Sequence, residues 1–330
     1  MDNIKSFKSL LYSLNEQNVD DIALRVFRYQ AENNPLYATY IHHLHCDFKK
    51  VRQVSEIPFM PISFFKNHNL KTGSWTTDSF FISSGTSGEA TSTHPIEDLN
   101  FYLNHAERCF KHFFGPLDQY HIFALLPSYL ERGNSSLVAM IDSFIKKSHS
   151  QFSGFYIHDL EKLLVDINQS KKDKTRKIIL WGVSFALLEF AERFQPDLHE
   201  CIVIETGGMK GRRKEITRTE LHDQLKKHFN LNTIYSEYGM TELLSQSYTR
   251  GEELFYPSPW MRISVRESLD PLEKGLIGRS GGLNVMDLAN IHSVAFVETE
   301  DAGKVFEDGS FEVLGRLDNS DVRGCNLLVE

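Results

Sequence analysis

Two short stretches combine glycine, hydroxyl and acidic residues in ways that suit a nucleotide. In residues 80–92 (FFISSGTSGEATS) an apolar run meets Ser83, Ser84, Gly85, Thr86, Ser87 and Gly88. Glycines let backbone N–H groups approach a polyphosphate, and the hydroxyls add donors. The stretch lacks G-x-x-x-x-G-K-[ST] and is no Walker A loop; alone, it also reads as a Ser/Gly surface turn. In residues 234–246 (IYSEYGMTELLSQ) a strand runs into Tyr238, Gly239, Met240, Thr241 and Glu242. An aromatic ring there can stack on a purine, and a Thr–Glu pair offers oxygen ligands to Mg2+. Alone, this too reads as a strand and a turn. The two stretches together, about 150 residues apart, are more specific than either.

Such loops need a scaffold. From Phe80 onward, SFFIS, HIFALLP, KIILWGV, CIVIETGG and NTIYSEYG read as strands. Residues 96–113, SSLVAMIDSFIKK, FALLEFAERF and TELHDQLKKHF read as the helices between them. Continuous apolar runs alternating with helices predict an α/β fold, a parallel sheet flanked by helices. Ligands in such sheets bind at the carboxyl edge, where each of these loops falls. Before Pro58 and Pro61 the chain is helical and amphipathic, with Leu10, Leu11, Ile22, Leu24, Val26 and Phe27 near helical spacing. After about Leu254, MRISVRE, HSVAFVET and SFEVLGRLD separated by Gly and Asp turns predict a small β subdomain. The expected division is therefore 1–75 helical, 76–253 α/β core, and 254–330 β-rich subdomain and tail.

Other candidates have plainer readings. His42, His43, His45 and Cys46 look metal-like, but neighbours in sequence do not share a helix face, so a helix surface is expected. Cys109 and Cys201 read as core thiols. Phe101, Phe110, Phe113 and Phe114 could line an acyl tunnel or pack the core. Arg132, Asn134 and Ser135 could contact a carboxylate or phosphate, or cap a helix. The net charge of −8 argues against a nucleic-acid partner. No run approaches the ~20 apolar residues of a membrane span, and the start lacks a signal-peptide pattern. Four scattered cysteines (Cys46, Cys109, Cys201 and Cys325) favour neither zinc nor disulfides, and a cytoplasmic enzyme is expected.

The Ser-Ser-Gly-Thr-Ser-Gly and Tyr-Gly-Met-Thr-Glu motifs resemble those of the adenylate-forming superfamily of acyl-, aryl- and luciferase-type ligases. With MPISFFKNHNLKTG, LPSYLERGNSSLVAMID and GGMKGRRKEITRTELHDQL, the resemblance is to the acyl-protein synthetase family, known from the fatty acid reductase of luminous bacteria. It implies that Ser83 to Gly88 cradle the phosphates of ATP and that Gly207 and Gly208 border the adenine and acyl pockets. Tyr238 would stack on adenine, with Gly239, Met240 and Thr241 beside it, and Glu242 with Thr86 would hold Mg2+. VETEDAG is similar to the family's Thr-Gly-Asp, with Glu300 where glycine is usual; Asp301 would bind the ribose. LGRLDNSDVRG resembles the segment before the family hinge and places Arg316 near ribose or phosphate.

The resemblance also implies a chain without the usual C-terminal lid domain and its lysine. Lys210, Arg212, Arg213 and Lys214 are the nearest substitutes, or else a solvated helix start. Cys325 would then be the acyl-accepting thiol, with Arg323 favouring its thiolate. The implied reaction joins a carboxylic acid, a fatty or aryl one given the phenylalanine-rich sequence, to AMP and passes it to a protein thiol. The implied partner is an acyl-reductase or acyl-acceptor protein. Rival readings are a coenzyme A ligase and a non-catalytic nucleotide- or acyl-binding subunit.

Overall fold

The computed structural model describes residues 2–83, 91–127, 133–207, 216–268, 270 and 272–317, the first five of these by backbone alone. The chain opens with helices α1 (Asp2–Leu11), α2 (Val19–Asn33) and α3 (Pro35–His43). Asn34 ends α2 and starts α3: its side chain accepts from the Leu36 and Tyr37 N–H groups, with Pro35 at the first helical position. A short strand β1 (Met60–Pro61) and helix α4 (Phe64–Asn67) follow. His42, His43 and His45 are exposed, and among the described residues no three His, Cys, Asp or Glu side chains group as a metal site.

Strands β2 (Ser79–Ile82) and β3 (Thr93–Ile96) pair antiparallel as a separate two-stranded sheet. This corrects the expected parallel strand at SFFIS. Only Phe81 of the run is fully buried, while Phe80 and Ile82 are 43% and 37% exposed, an alternation that suits a one-sided hairpin. The helix expected from Ile96 begins later, as α5 (Leu99–Phe114), capped by the Asp98 side chain on the Phe101 N–H.

The main sheet then builds by crossovers. β4 (Tyr120–Leu125), α6 (Ser136–Ser148), β5 (Gly154–Phe155), α7 (Leu160–Ser170), β6 (Lys177–Val183) and α8 (Ser184–Phe194) come first. β7 (Cys201–Thr206), α9 (Arg218–Phe229) and β8 (Tyr235–Tyr238) complete the set. These strands lie parallel in the order β5-β4-β6-β7-β8, and β4 is buried along its whole length. Continuous apolar runs are what a sheet covered on both faces requires. No element is expected above for β5 or α7; Asp159 as cap before Leu160, Leu163, Leu164 and Ile167 is the signal that marks α7.

The β-rich remainder does not sit apart from this sheet. β9 (Ser247–Thr249), β10 (Phe255–Pro257), β11 (Met261–Arg266), β12 (Gly281–Asp287), β13 (Phe296–Val305) and β14 (Phe311–Arg316) extend it antiparallel. The order continues β8-β9-β10-β14-β13-β12-β11, and β1 joins β13 in parallel. The sheet is thus mixed: parallel from β5 to β8, and antiparallel at every step of this order from β8 onward. Phe110 belongs to its core, ringed by Phe114, Tyr120, Phe144 and Trp181 at 5.0–6.0 Å, which is the packing alternative of its two sequence readings.

Candidate functional site

The serine-glycine stretch spans the β2–β3 hairpin, with Ser83 at its entry. The Ser83 N–H donates to the Ser92 carbonyl at 3.0 Å, and the Ser92 N–H donates to Ser83 Oγ at 2.8 Å. The Ile82 N–H donates to the Asn134 carbonyl at 2.8 Å, which ties the hairpin to the start of α6. Ser135 caps α6 by accepting from the Val138 N–H at 3.4 Å, the capping alternative of its two readings. Ser84, Gly85, Thr86, Ser87, Gly88, Gly208, Lys210, Arg212, Arg213, Lys214, Arg132, Arg323 and Cys325 lie outside the described residues.

The turn after β8 is held from below. His94 Nδ1, on β3, lies 2.8 Å from the Thr241 carbonyl, and Asn290 Nδ2 donates to the Glu242 carbonyl at 2.7 Å. Asp287 accepts from the Leu244 and Ser245 N–H groups at 2.7 and 2.9 Å, from Ser245 Oγ at 2.6 Å and from the Ala289 N–H at 3.1 Å. Ser293 Oγ donates to Asn290 Oδ1 at 2.7 Å and stands 2.9 Å from His94 Nε2. Burial pushes the His94 imidazolium down to about 4, so the ring is neutral at pH 7. Glu242 itself is 2% exposed, while Thr241 is half-buried above it.

Tyr238, Asp301 and Arg316, far apart in sequence, come together. The Tyr238 ring packs on Phe255 and Phe311 at 5.8 and 5.2 Å, and its hydroxyl donates to Asp301 Oδ2 at 2.8 Å. Register pairs Asp301 with Arg316, whose Nη1 lies 3.6 Å from Asp301 Oδ1 and whose Nη2 pairs with Glu300. Glu300, where the family pattern has glycine, is thus the carboxylate that holds Arg316. Burial raises the Asp301 carboxyl, with Arg316 and the Tyr238 hydroxyl opposing it.

Beneath Gly207 and Gly239 lies a pair of buried carboxylates. Gly207, at φ 75°, needs the left-handed region open to glycine, and its carbonyl accepts from Ser184 Oγ at 2.7 Å. Glu205 accepts from Ser236 Oγ at 2.6 Å and lies 3.5 Å from His222 Nε2. Glu237 is hydrogen-bonded by Thr206 Oγ1; burial pushes its carboxyl up to about 7 and Glu205 adds to the rise. A Cβ on Gly239 would stand 2.3 Å from Glu237 Oε1, so only glycine lets the turn pass this close. Sequence spacing does not reveal His94, Asp287, Asn290 and Ser293; for the last three, polar residues inside the apolar run LNVMDLANIHSVAF are the signal that could have, and His94 has none.

The described thiols are inert by environment. Burial pushes Cys109 and Cys201 up to about 12 and about 11, and raises the partly buried Cys46. As for a metal, a lone buried carboxylate such as Glu242 would fit a Mg2+ ion carried chiefly by nucleotide phosphates.

Comparisons with known structures agree on architecture. A 2-hydroxyisobutyryl-CoA ligase in the postadenylation state with R3-HIB-AMP superposes with a TM-score of 0.68 at 13% identity, over 96% of this chain and 71% of that one. ATP-bound MatB from Rhodopseudomonas palustris gives 0.53 at 16% over 73% and 48%. MenE, the O-succinylbenzoate coenzyme A synthetase of Bacillus subtilis, with ATP and magnesium gives 0.54 at 16% over 75% and 51%. The chain spans about half the length of the MatB structures, and at these identities the likeness is one of fold. No curated protein matches. Among the described residues no helix is long and apolar enough to cross a membrane. The family described as Acyl-protein synthetase, LuxE, matches residues 2–330, so the chain belongs to the acyl-protein synthetase family.

Proposed function

We propose that the protein activates a carboxylic acid with ATP and passes the acyl group to a protein thiol. The observation that carries this reading is the convergence of Tyr238, Asp301 and Arg316, three residues assigned to one nucleotide, through a hydrogen bond and an ion pair. A carboxylate oxygen attacks the α-phosphorus, the bond to pyrophosphate breaks, and an acyl-AMP forms. A thiolate then attacks the acyl carbon and AMP leaves, the thiol proton passing to solvent.

In this scheme the Tyr238 ring faces adenine beside Gly207, Gly208, Gly239 and Met240. Asp301 takes the ribose hydroxyls, and Arg316, steadied by Glu300, lies by ribose or phosphate. Ser83, Ser84, Gly85, Thr86, Ser87 and Gly88 offer amides and hydroxyls to the phosphates. Glu242 and Thr86 hold Mg2+, which supplies neutralisation of phosphate charge when bound. Thr241 orients Glu242. Cys325 accepts the acyl group, a role the family resemblance suggests. The acid is a fatty acid, the onward acceptor an acyl-reductase or acyl-carrying protein, and the setting the cytoplasm.

Exchange of labelled pyrophosphate into ATP across a panel of carboxylic acids tests activation and substrate class together. With ATP, Mg2+ and a radiolabelled fatty acid, the protein becomes labelled through a hydroxylamine-sensitive thioester. Labelling undiminished in Cys325→Ala would overturn transfer to that thiol. Product formed on free coenzyme A by that variant identifies a coenzyme A ligase, and ATP binding without exchange identifies a binding subunit.

A further inference from the structure

The backbone around Glu242 is gripped by side chains that belong to neither nucleotide motif. Outward from Glu242, the Thr241 carbonyl meets His94 and the Glu242 carbonyl meets Asn290. The Leu244 and Ser245 N–H groups meet Asp287. Together these contacts fix the peptide planes on both sides of Glu242. The partners are 147, 48 and 42–43 residues away, so no local turn propensity could set this geometry.

We propose that His94, Asn290 and Asp287 are positioning residues that lock the Thr241–Glu242 backbone to the β2–β3 hairpin, holding the Glu242 carboxylate at a fixed separation from the hairpin stem. The proposal rests on the reading of this site as one for ATP and Mg2+. His94 is the bridge. It sits on β3, two residues beyond the Ser83–Ser92 lock that closes the hairpin stem, and touches the turn directly.

The frame is anchored in turn. Gln30 Nε2 of α2 donates to the Asn290 and Ile291 carbonyls at 2.9 and 3.1 Å, and Asn34 Nδ2 donates to the Ser293 carbonyl at 3.2 Å. His94, Asn290, Asp287, Ser293 and Ser245 are each at most 1% exposed. A polar cluster this dry is hydrogen-bonded at a cost that apolar packing would avoid, so its retention points to geometry over stability. At the end of β7 the contrast is plain among the described residues, where the Gly207 carbonyl accepts from one side chain, Ser184.

The test compares the full-length wild type with His94→Ala, His94→Asn and Asp287→Asn. Each is titrated with α,β-methylene-ATP over a range of Mg2+ concentrations, and melting is followed without ligand. Loss of the His94 hydrogen bond is expected to raise the Kd for the Mg2+ complex about tenfold and to shift the Mg2+ midpoint upward. His94→Asn, whose amide nitrogen can take the place of Nδ1, should recover most of the affinity. Should His94→Ala fail to fold, Asp287→Asn carries the same expectation, because its amide N–H opposes a donor of the turn. Lowered melting with Kd and Mg2+ midpoint unchanged would reduce the cluster to packing and overturn the proposal. A wild type that fails to bind the analogue removes the ATP site itself, a different failure, since no variant is needed to see it.

Discussion

The ends of β7 and β8 rest on buried polar clusters of opposite construction. Below Thr241–Glu242 one carboxylate, Asp287, faces four donors, and the carbonyls above are met by His94 and Asn290. Below Gly207 and Gly239 two carboxylates, Glu205 and Glu237, share Thr206, Ser184, Ser236 and His222. The first cluster matches charge to donors and so fixes backbone. The second buries two carboxylates together, and burial, with Glu205 adding to it, keeps a proton on Glu237 to about pH 7.

Each prediction strains that contrast. Asp287→Ala leaves three backbone N–H groups and the Ser245 hydroxyl without their acceptor and should cost about 3 kcal/mol in chemical denaturation. A loss under about 1 kcal/mol would mean that the frame relaxes freely and is no frame. Gly239→Ala drives a Cβ to 2.3 Å from Glu237 Oε1, and an overpacking cost of about 2 kcal/mol is expected. The double variant Gly239→Ala, Glu237→Ala should recover part of it; strict additivity would disprove the contact.

Stability against pH separates Glu237 from His94 by sign. Glu237 is raised from 4.5 to about 7, so its contribution is complete below 4.5 and lost as pH rises through 7. Glu237→Gln should abolish that decline. His94 is lowered from 6.5 to about 4, so its contribution is present above 6.5 and lost as pH falls towards 4. Denaturation midpoints measured across this range must show the two slopes opposed. The smallest effect belongs to Tyr238→Phe, which removes one hydrogen bond to Asp301 for about 1 kcal/mol. Its ATP-analogue affinity should fall slightly with it, since the hydroxyl steadies Asp301; unchanged affinity would mean that this hydrogen bond does not serve the nucleotide, the ring being kept in Phe.

Legibility in the sequence tracks how local each signal is. KIILWGV announces β6 because a strand covered on both faces is apolar throughout, whatever its neighbours. SFFIS misleads because the same short apolar run serves a hairpin, and only its partner at Thr93–Ile96, with Pro95 opposite Phe80, decides the matter. The late strands are visible as strands, but their continuation of the main sheet depends on the pairing of β9 with β8, where the order turns from parallel to antiparallel. Tyr238, Asp301 and Arg316 are named through motif resemblance and meet only in three dimensions. His94, Asn290 and Asp287 carry no periodic signal, since each is defined by a partner remote in sequence.

One feature of the sheet bears on how the protein is made. A single edge of β13 receives β1 at Val297 and Glu298 and β14 at residues 301–305. Gln30, on α2, finds its acceptors and donor 260 to 265 residues further along. At ribosomal speeds the N-terminal helices therefore wait on the order of 10–50 s for the segment that completes them. Meanwhile the face of α2 that packs Phe27 on Phe296 stands open to water. The nascent chain thus presents an apolar helix face early and covers it late.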